Sequence, residues 1–411
     1  MRAPVSDRRA ADGARRFPTL RTLVFWPHLF AGVTAGLLIL LMSVTGVLLT
    51  YERQLIAWSD RTYRSTPSEG SSRLPPGTLL LRVRETNPDL VPSAVTMAAD
   101  REAPVTLAVP QRMLYVDAYS GQVLGEGNQT VRRAMSEIRS WHRWLSVDGD
   151  GRPVARFFTG WSNVLFLFIV TSGFYLWFPR KWSWQHIRSI AFFNGKLRGK
   201  ARDFNWHQVI GVWSLVPLFV IVASALPMSF PWANAALYRA VREEPPRPAG
   251  GSREGGGVAP NGAREMSEPR ELSPTAIDAL WIRAEAREKG WTTITMRIPA
   301  SARAPLTFAI DRGDGGQPHV RSTLTVDRNS GMIRYETFAD QKLGARLRSL
   351  SRFAHTGEVL GVPGQTIAGL ASAGASVLVC TGLALAFRRL RAWLKRRAER
   401  RTPAAAETNA A

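Results

Sequence analysis

The chain has 411 residues, a formal net charge of +22 and one cysteine, Cys380. A single cysteine excludes intrachain disulfides and cysteine-based metal sites. The positive charge does not indicate nucleic-acid binding, because 21 of the Lys and Arg residues lie in three segments, 1–24, 179–206 and 388–411, together with only five acidic residues. Basic segments that flank apolar ones are typical of the cytoplasmic side of a membrane protein.

Four apolar stretches contain no Asp, Glu, Lys or Arg and are long enough to cross a bilayer, for which roughly 20 residues suffice. They cover residues 22–51, 157–179, 204–238 and 359–387. The three basic segments fall on one side of a four-span topology, which predicts that both termini are cytoplasmic. The first stretch has no small-residue cleavage site, so we predict a retained span and not a signal peptide.

The two long stretches between spans 1 and 2 and between spans 3 and 4 resemble each other. Three landmarks recur in the same order: "VTM" and "ITM", "APVT" and "APLT", and a V-D-x-x-S-G motif that begins at Val116 and Val326. Matched order predicts a duplicated chain. Each copy reads as an α+β module, with helices in "TLLLRVRETNP" and "PTAIDALWIRAEAREKG", alternating strands, and a tight turn at the Ser-Gly pair.

The predicted fold class is therefore an α-helical membrane protein with four transmembrane helices in a duplicated arrangement and two extracytoplasmic α+β modules. A Pro/Gly-rich stretch from Glu243 to Pro269 is predicted to be a disordered linker. The predicted boundaries are a basic tail 1–21, span 22–51, module 52–130, amphipathic stretch 131–156, span 157–179, basic loop 180–206, span 207–231, linker and module 232–340, amphipathic stretch 341–362, span 363–387 and basic tail 388–411.

Four of the six histidines occupy equivalent positions in the two halves. His28 and His207 lie at the cytoplasmic ends of spans 1 and 3, while His142 and His355 precede spans 2 and 4 on the outer side. Each membrane face thus receives one histidine from each half. Two imidazoles that face each other across a helix bundle suit the axial positions of a haem iron.

Other roles for these four histidines stay open at this point: a proton relay or transition-metal path, or simple anchoring at the lipid headgroups. His186 and His319 have no counterpart in the other half and are expected to be solvated. Thr45-Gly46, Ser172-Gly173 and Thr381-Gly382 lie toward the ends of spans, where either helix packing or closeness to a cofactor explains them. Trp141 and Trp144, which flank His142, are expected to cover a haem edge and to anchor the chain at the interface.

The V-D-x-x-S-G module, followed by "WHRW" or "HTG" and then by a span ending in "TSG" or "TG", resembles the PepSY-associated transmembrane family over residues 17 to 395. The resemblance implies a bacterial inner-membrane protein with periplasmic PepSY domains. Members include ferrisiderophore reductases with two b-type haems, so it implies that His28, His207, His142 and His355 are the axial ligands. Span 3 departs from the pattern, since Pro217, Pro227 and Pro231 are expected to interrupt it and it lacks the "TG" ending. A kink in its outer part is expected.

We expect electrons to pass from the cytoplasmic-side site to the outer site, where Fe(III) in a siderophore or other ferric chelate is reduced. No catalytic acid or base is expected, and Arg143, Arg156 and Arg352 are candidates for binding the haem propionates. The C-terminal tail is shorter than a flavin domain, so we expect quinol or a separate reductase to supply the electrons. Two other functions stay open: a non-enzymatic binder or regulator of periplasmic peptides or proteases, and a proton or metal transporter.

Overall fold

The computed structural model describes residues 19–67, 70–110, 112–178, 183–246, 273–299, 304–327 and 331–399. Most of the predicted linker, most of the N-terminal basic tail and half of the C-terminal basic tail lie outside these ranges. The helices are α1 (Leu20–Leu49), α2 (Glu52–Ser59), α3 (Pro76–Thr86), α4 (Gln129–Trp144), α5 (Arg152–Trp177), α6 (Trp184–Ala191), α7 (Gly199–Ser229), α8 (Pro231–Ala240), α9 (Pro274–Arg287), α10 (Leu343–His355) and α11 (Gly361–Glu399). The strands are β1 (Ala94–Ala98), β2 (Val105–Val109), β3 (Arg112–Val116), β4 (Val123–Gly125), β5 (Thr293–Arg297), β6 (Leu306–Asp311), β7 (Arg321–Val326) and β8 (Ile333–Thr337).

The described residues form two compact units. Unit 1 takes those up to Val44, those of 161–222 and those from Ala371 onward, and unit 2 takes those of 45–160 and 223–370. Four helices of the described chain, α1, α5, α7 and α11, are long and apolar enough to cross a membrane. Apolar side chains are exposed on them, for example Phe30 at 72 % and Leu37 at 74 %. Such exposure is unfavourable in water and favourable in lipid, so the protein is a membrane protein.

Helix α7 differs from the sequence-based expectation in its outer part. It continues through Pro217 and Pro227 to Ser229, and Pro231 begins α8. Proline is well tolerated at the first position of a helix, because the N–H that it lacks would have no partner there. Pro217 and Pro227 therefore do not interrupt the helix before Ser229, and the next helix begins at Pro231.

Small residues let the helices of unit 1 approach one another. Ala31 and Ala35 are buried on α1, and a Cβ placed on Gly36 would lie 3.4 Å from the Leu383 side chain of α11. On α11, a Cβ on Gly374 would come within 2.7 Å of the Ser214 hydroxyl of α7. Close backbone approach at small residues is the usual way in which transmembrane helices associate.

Unit 2 contains one antiparallel sheet of eight strands in the order β4-β3-β2-β1-β5-β6-β7-β8. The two predicted modules each contribute four consecutive strands, and β1 pairs with β5 where they meet. Burial alternates along the strands, as in β2 and β7, so one face of the sheet packs against the core. The sequence predicts two modules but not that they share a sheet.

Helices α3 and α9 cover the buried face of the sheet. Leu79 and Val83 from α3 and Trp281 and Ala284 from α9 pack with the inward side chains of the strands in one hydrophobic core. The two helices touch at Gly77, whose backbone N–H donates to the Asp278 carboxylate at 2.6 Å. A Cβ on Gly77 would collide with the Pro274 carbonyl group, so this contact requires glycine.

Candidate cofactor-binding site

In unit 1, His28 of α1 faces Ser172 of α5. The His28 Nδ1 atom lies 2.8 Å from the Ser172 Oγ, and this hydroxyl donates its own hydrogen to the Phe168 carbonyl oxygen at 2.5 Å. A hydroxyl has only one hydrogen to donate. The serine oxygen must therefore accept from His28 Nδ1–H, which leaves the lone pair of the neutral imidazole on Nε2.

His207 of α7 and Thr381 of α11 repeat this arrangement in the other half. The His207 Nδ1 lies 3.0 Å from the Thr381 Oγ1, and the threonine hydroxyl donates to the Val377 carbonyl oxygen at 2.8 Å. The tautomer with the lone pair on Nε2 is again the one selected. His28 and His207 lie close enough to interact electrostatically, so the structure brings the two inner candidates together.

A glycine follows each of these hydroxyl residues and lies beside the same imidazole. A Cβ on Gly173 would lie 3.4 Å from the His28 Cε1, and a Cβ on Gly382 would lie 3.3 Å from the His207 Cε1. Larger side chains at these positions would crowd the ring edge that carries Nε2. In the Ser172-Gly173 and Thr381-Gly382 pairs, the hydroxyl binds the imidazole and the glycine leaves space beside it. The sequence alone could not distinguish this role from helix packing.

In unit 2, His142 near the end of α4 and His355 at the end of α10 lie together. Their ring centres are 6.2 Å apart and their planes are inclined at 55°. The His142 Nδ1 lies 2.9 Å from the Thr45 Oγ1 of α1, so this imidazole also contacts a hydroxyl through Nδ1. Both outer candidates are half-buried.

The separation of the outer rings suits one metal ion between them. Imidazole nitrogens bind metal ions at about 2 Å. A metal on the line between two such nitrogens would place the ring centres roughly 6 Å apart, since each ring adds its own radius. The observed 6.2 Å is therefore close to the separation that one metal ion between the two imidazoles would require.

A buried carboxylate fastens α4 to the sheet. Asp60, which follows α2 and is 5 % exposed, accepts from the Asn128 backbone N–H at 2.6 Å, from the Tyr115 hydroxyl of β3 at 2.9 Å and from the Arg132 guanidinium of α4. Burial and the hydrogen bond to Asp60 raise the pKa of Tyr115 to about 12. The network fixes the start of the helix that carries His142.

The second half uses Glu243 in the same way. Its carboxylate oxygens accept from the backbone N–H groups of Leu343 and Gly344, each at 3.0 Å, at the first turn of α10. A carboxylate at a helix N-terminus pairs with N–H groups that have no partner within the helix. No motif in the sequence marks Asp60 or Glu243. Their only signal is the position of an acidic residue soon after the short helix that follows a span.

Arginines surround the outer pair. Desolvation lowers the pKa of Arg143, and the neighbouring charges of Arg156, Arg139 and Arg352 lower it further. Arg139 pairs with Glu52, whereas Arg143, Arg156 and Arg352 form no salt bridge with any carboxylate in the described part of the chain. This end of the site therefore carries positive charge that no carboxylate among the described residues neutralises by a salt bridge.

The remaining histidines lie apart from both pairs. His186 on α6 and His319 in the turn before β7 are exposed. Beside His142, Trp141 is 45 % exposed, and the guanidinium groups of Arg143 and Arg152 lie over the Trp144 ring at 4.6 and 4.7 Å. Among the described residues, no group of three or more His, Cys, Asp or Glu side chains could hold a metal ion, so the candidate sites are histidine pairs.

The family comparison covers both pairs. The model of the PepSY-associated TM region matches residues 25–389, which include all four histidines. No curated protein matches the chain.

Proposed function

Because the chain belongs to the PepSY-associated TM family, we propose that it binds two b-type haems and reduces ferric iron in periplasmic chelates such as ferrisiderophores. The duplicated sequence and the eight-stranded sheet support two PepSY-like modules, one from each half. The basic segments support an inner-membrane topology with cytoplasmic termini and a periplasmic sheet. His28 and His207 would hold the inner haem, and His142 and His355 the outer one.

The observation that carries this proposal is the geometry of the histidine pairs. The outer rings stand at a distance that fits one iron between them. The hydroxyls of Ser172 and Thr381 hold Nδ1–H of the inner imidazoles and so direct Nε2 to a ligand. A ligating histidine usually donates its other ring N–H to such a partner, which fixes its orientation and tautomer.

Haem b bound by axial imidazoles supplies one-electron transfer, and its potential is set by ligands, burial and neighbouring charge. The protein's part is to hold the imidazoles, exclude water and place positive charge beside the outer pair. Fe(III) in the chelate gains one electron, which quinol or a separate reductase provides. Hard oxygen donors hold Fe(II) less tightly than Fe(III), so the metal is then released. Outer-sphere transfer needs no acid or base from the chain.

The first test is the visible spectrum of the purified protein from haem-supplied cells, before and after dithionite. We expect a sharp reduced α-band, a shifted Soret band and two haems per chain. A folded but colourless protein would contradict the proposal and would leave the binder and transporter functions.

The second test follows the oxidation of the reduced protein by stopped-flow spectroscopy. A ferric siderophore should oxidise the haem, whereas the same siderophore loaded with gallium(III), which is redox-inert, should not. Equal rates with and without the ferric chelate would argue against iron reduction even if haem is present.

A further inference from the structure

The arginines beside the outer histidines have a placement that the haem ligands alone do not explain. Arg143 follows His142 on α4, and Arg352 lies one turn before His355 on α10. Arg156 stands at the start of α5, where the Thr159 hydroxyl lies 3.3 Å from the Arg143 carbonyl oxygen. Arg143 and Arg352 thus lie on the two helices that carry the outer histidines, and Arg156 lies on a third helix that contacts the Arg143 backbone.

These three side chains are exposed and open to an incoming ligand. Within the described part of the chain, their contacts are with neutral groups: Arg143 lies over Trp144, Arg352 lies over Phe353, and Arg156 donates to a backbone carbonyl oxygen at 3.2 Å. The charges of Arg156 and Arg352 act on Arg143, so the three guanidinium groups lie near one another. Like charges held together in this way attract an anion.

We propose that Arg143, Arg156 and Arg352 form a carboxylate-binding site beside the His142–His355 pair. Guanidinium groups bind carboxylates in a bidentate manner, which makes arginine suited to this ligand class. Two sources share this chemistry: the propionates of a haem at the outer pair, and a ferric chelate built on carboxylates. Whether the carboxylate belongs to a haem propionate or to a ferric chelate rests on the proposed function. The binding of a carboxylate by the three arginines does not.

The test compares Arg143→Gln and Arg143→Gln/Arg352→Gln with Arg84→Gln, which changes an exposed arginine of α3 away from the site. Calorimetric titration of the full-length protein with citrate should show affinity weakened roughly 10- to 100-fold in the first two variants, the loss expected for hydrogen bonds to a charged group. Citrate affinity, haem content and reduction kinetics equal to those of Arg84→Gln would overturn the site.

Further measurements distinguish the sources. If the ligand is the chelate, KM rises for ferric citrate, stays unchanged for a neutral ferric trihydroxamate, and the haem spectrum is unaltered. If the ligand is a propionate, the outer haem is lost or shifted in potential, both chelates are affected alike, and citrate binds only to protein depleted of haem. A wild-type protein without haem would contradict the proposed function, and citrate titration would still decide the arginine site.

An independent observation concerns the hydroxyl partners of the histidines. Thr45, which contacts His142 at Nδ1, comes 17 residues after His28 on α1. Ser224 comes 17 residues after His207 on α7, at the equivalent place in the second half. Ser172 and Thr381 already show that the two halves use matched hydroxyls for their inner histidines.

From this spacing we infer that Ser224 is the positioning residue of His355, with its hydroxyl oxygen accepting from Nδ1–H. Span 3 has Ser224 where span 1 has Thr45, so the outer part of span 3 lacks a Thr-Gly pair. Such a bond would leave the lone pair of His355 on Nε2, as Ser172 and Thr381 do for the two inner histidines.

The test compares Ser224→Ala, Ser224→Thr and Ser229→Ala, the last a serine of the same helix whose hydroxyl donates to its own helix backbone at 3.1 Å. Ser224→Ala should shift the ¹⁵N resonances of His355 and change the paramagnetic resonance spectrum of the outer haem, and Ser224→Thr should restore both. A Ser224→Ala protein that matches Ser229→Ala in both measurements would overturn the role. The ¹⁵N measurement remains informative in a protein without haem, so this role and the proposed function can fail separately.

Discussion

Thr96 and Thr295 lie opposite each other in the sheet, where β1 meets β5, with their hydroxyl oxygens 2.9 Å apart. Each is the middle residue of the repeated "VTM" or "ITM" landmark. A local twofold axis places each copy of a repeated motif opposite the other copy across an antiparallel strand pair. The pairing supports the proposed duplication and leads us to expect matched effects from matched substitutions.

Histidine substitutions should sort into two pairs. His142→Ala and His355→Ala should each remove the same haem, because each takes one axial ligand from the outer pair, and His28→Ala and His207→Ala should remove the other. Haem content and redox titration measure this. His319→Ala, an exposed histidine, serves as the control. Loss of different haems from His142→Ala and His355→Ala would contradict the pairing.

Removing the Ser172 hydroxyl should weaken the inner site. Ser172→Ala leaves His28 Nδ1–H without its acceptor, and loss of such a partner typically costs 10- to 100-fold in metal affinity, so we expect roughly that loss in haem affinity. Thr171→Ala is a close control, because the Thr171 hydroxyl donates only to its own helix. Haem titration of depleted protein would show the difference, and equal affinities for the two variants would refute the role of Ser172.

The attachment of α4 to the sheet can be broken at Asp60. Asp60→Ala leaves Arg132 and the Asn128 N–H without their acceptor, and breaking a buried ion pair costs about 3–5 kcal/mol. We expect lower stability and a loosened His142, hence selective loss of the outer haem. Asp89→Ala, at an exposed position, should have no such effect. Thermal unfolding and haem content report the two consequences, and simultaneous loss of both haems would point to global unfolding instead.

The contact between α3 and α9 should not tolerate a side chain at Gly77. Gly77→Ala would force the helices apart over the sheet core, and overpacking of this kind costs about 1–3 kcal/mol. A Cβ on Gly195 meets nothing within 4 Å, so Gly195→Ala is the matched control. Denaturant unfolding should show destabilisation for Gly77→Ala alone; similar midpoints for both variants would be inconsistent with this contact.

Asp117 should make the sheet sensitive to acid. Desolvation raises the pKa of this carboxyl, but hydrogen bonds from the backbone N–H groups of Ser120, Thr66 and Tyr119 outweigh it, so the pKa is lowered on balance. The stabilisation is present above the unfolded-state pKa of about 3.9 and is lost as pH falls through the folded-state value. Asp117→Asn should therefore reduce stability at pH 7 and flatten the acid limb of the stability curve, measured by unfolding between pH 7 and pH 2. An acid limb as steep as that of the wild type would contradict this role.

Apolar length and charge distribution predict the four long helices, because lipid requires long uncharged segments and leaves little choice of structure. Alternation and the repeated landmarks likewise predict the strands of both modules. The pairing of β1 with β5 could not be predicted in this way, since strand pairing between distant segments leaves no local pattern. The resemblance in sequence to the PepSY-associated transmembrane family is confirmed by the family match over residues 25–389.

The candidate site was predictable as a set of four histidines but not as a set of contacts. Equivalent positions in a repeat identify His28 and His207 without any knowledge of distance. Their hydroxyl partners depend on which helix faces stand opposite each other, and many hydroxyls in spans merely bond to their own backbone, as Thr171 does. Asp60 and Glu243 could not be predicted either. Each carboxylate binds the N-terminus of a helix that lies far along the chain, and no fixed sequence spacing links the two.

The outer and inner histidines differ in what carries them. His142 and His355 stand on helices of 16 and 13 residues that Asp60 and Glu243 hold by their first turns, whereas His28 and His207 belong to membrane-spanning helices. Spanning helices tilt when bilayer thickness changes. Reconstitution in thinner or thicker lipid should therefore disturb the inner imidazoles more than the outer ones. With haem bound as we propose, lipid chain length would then tune the inner redox centre more strongly than the outer one.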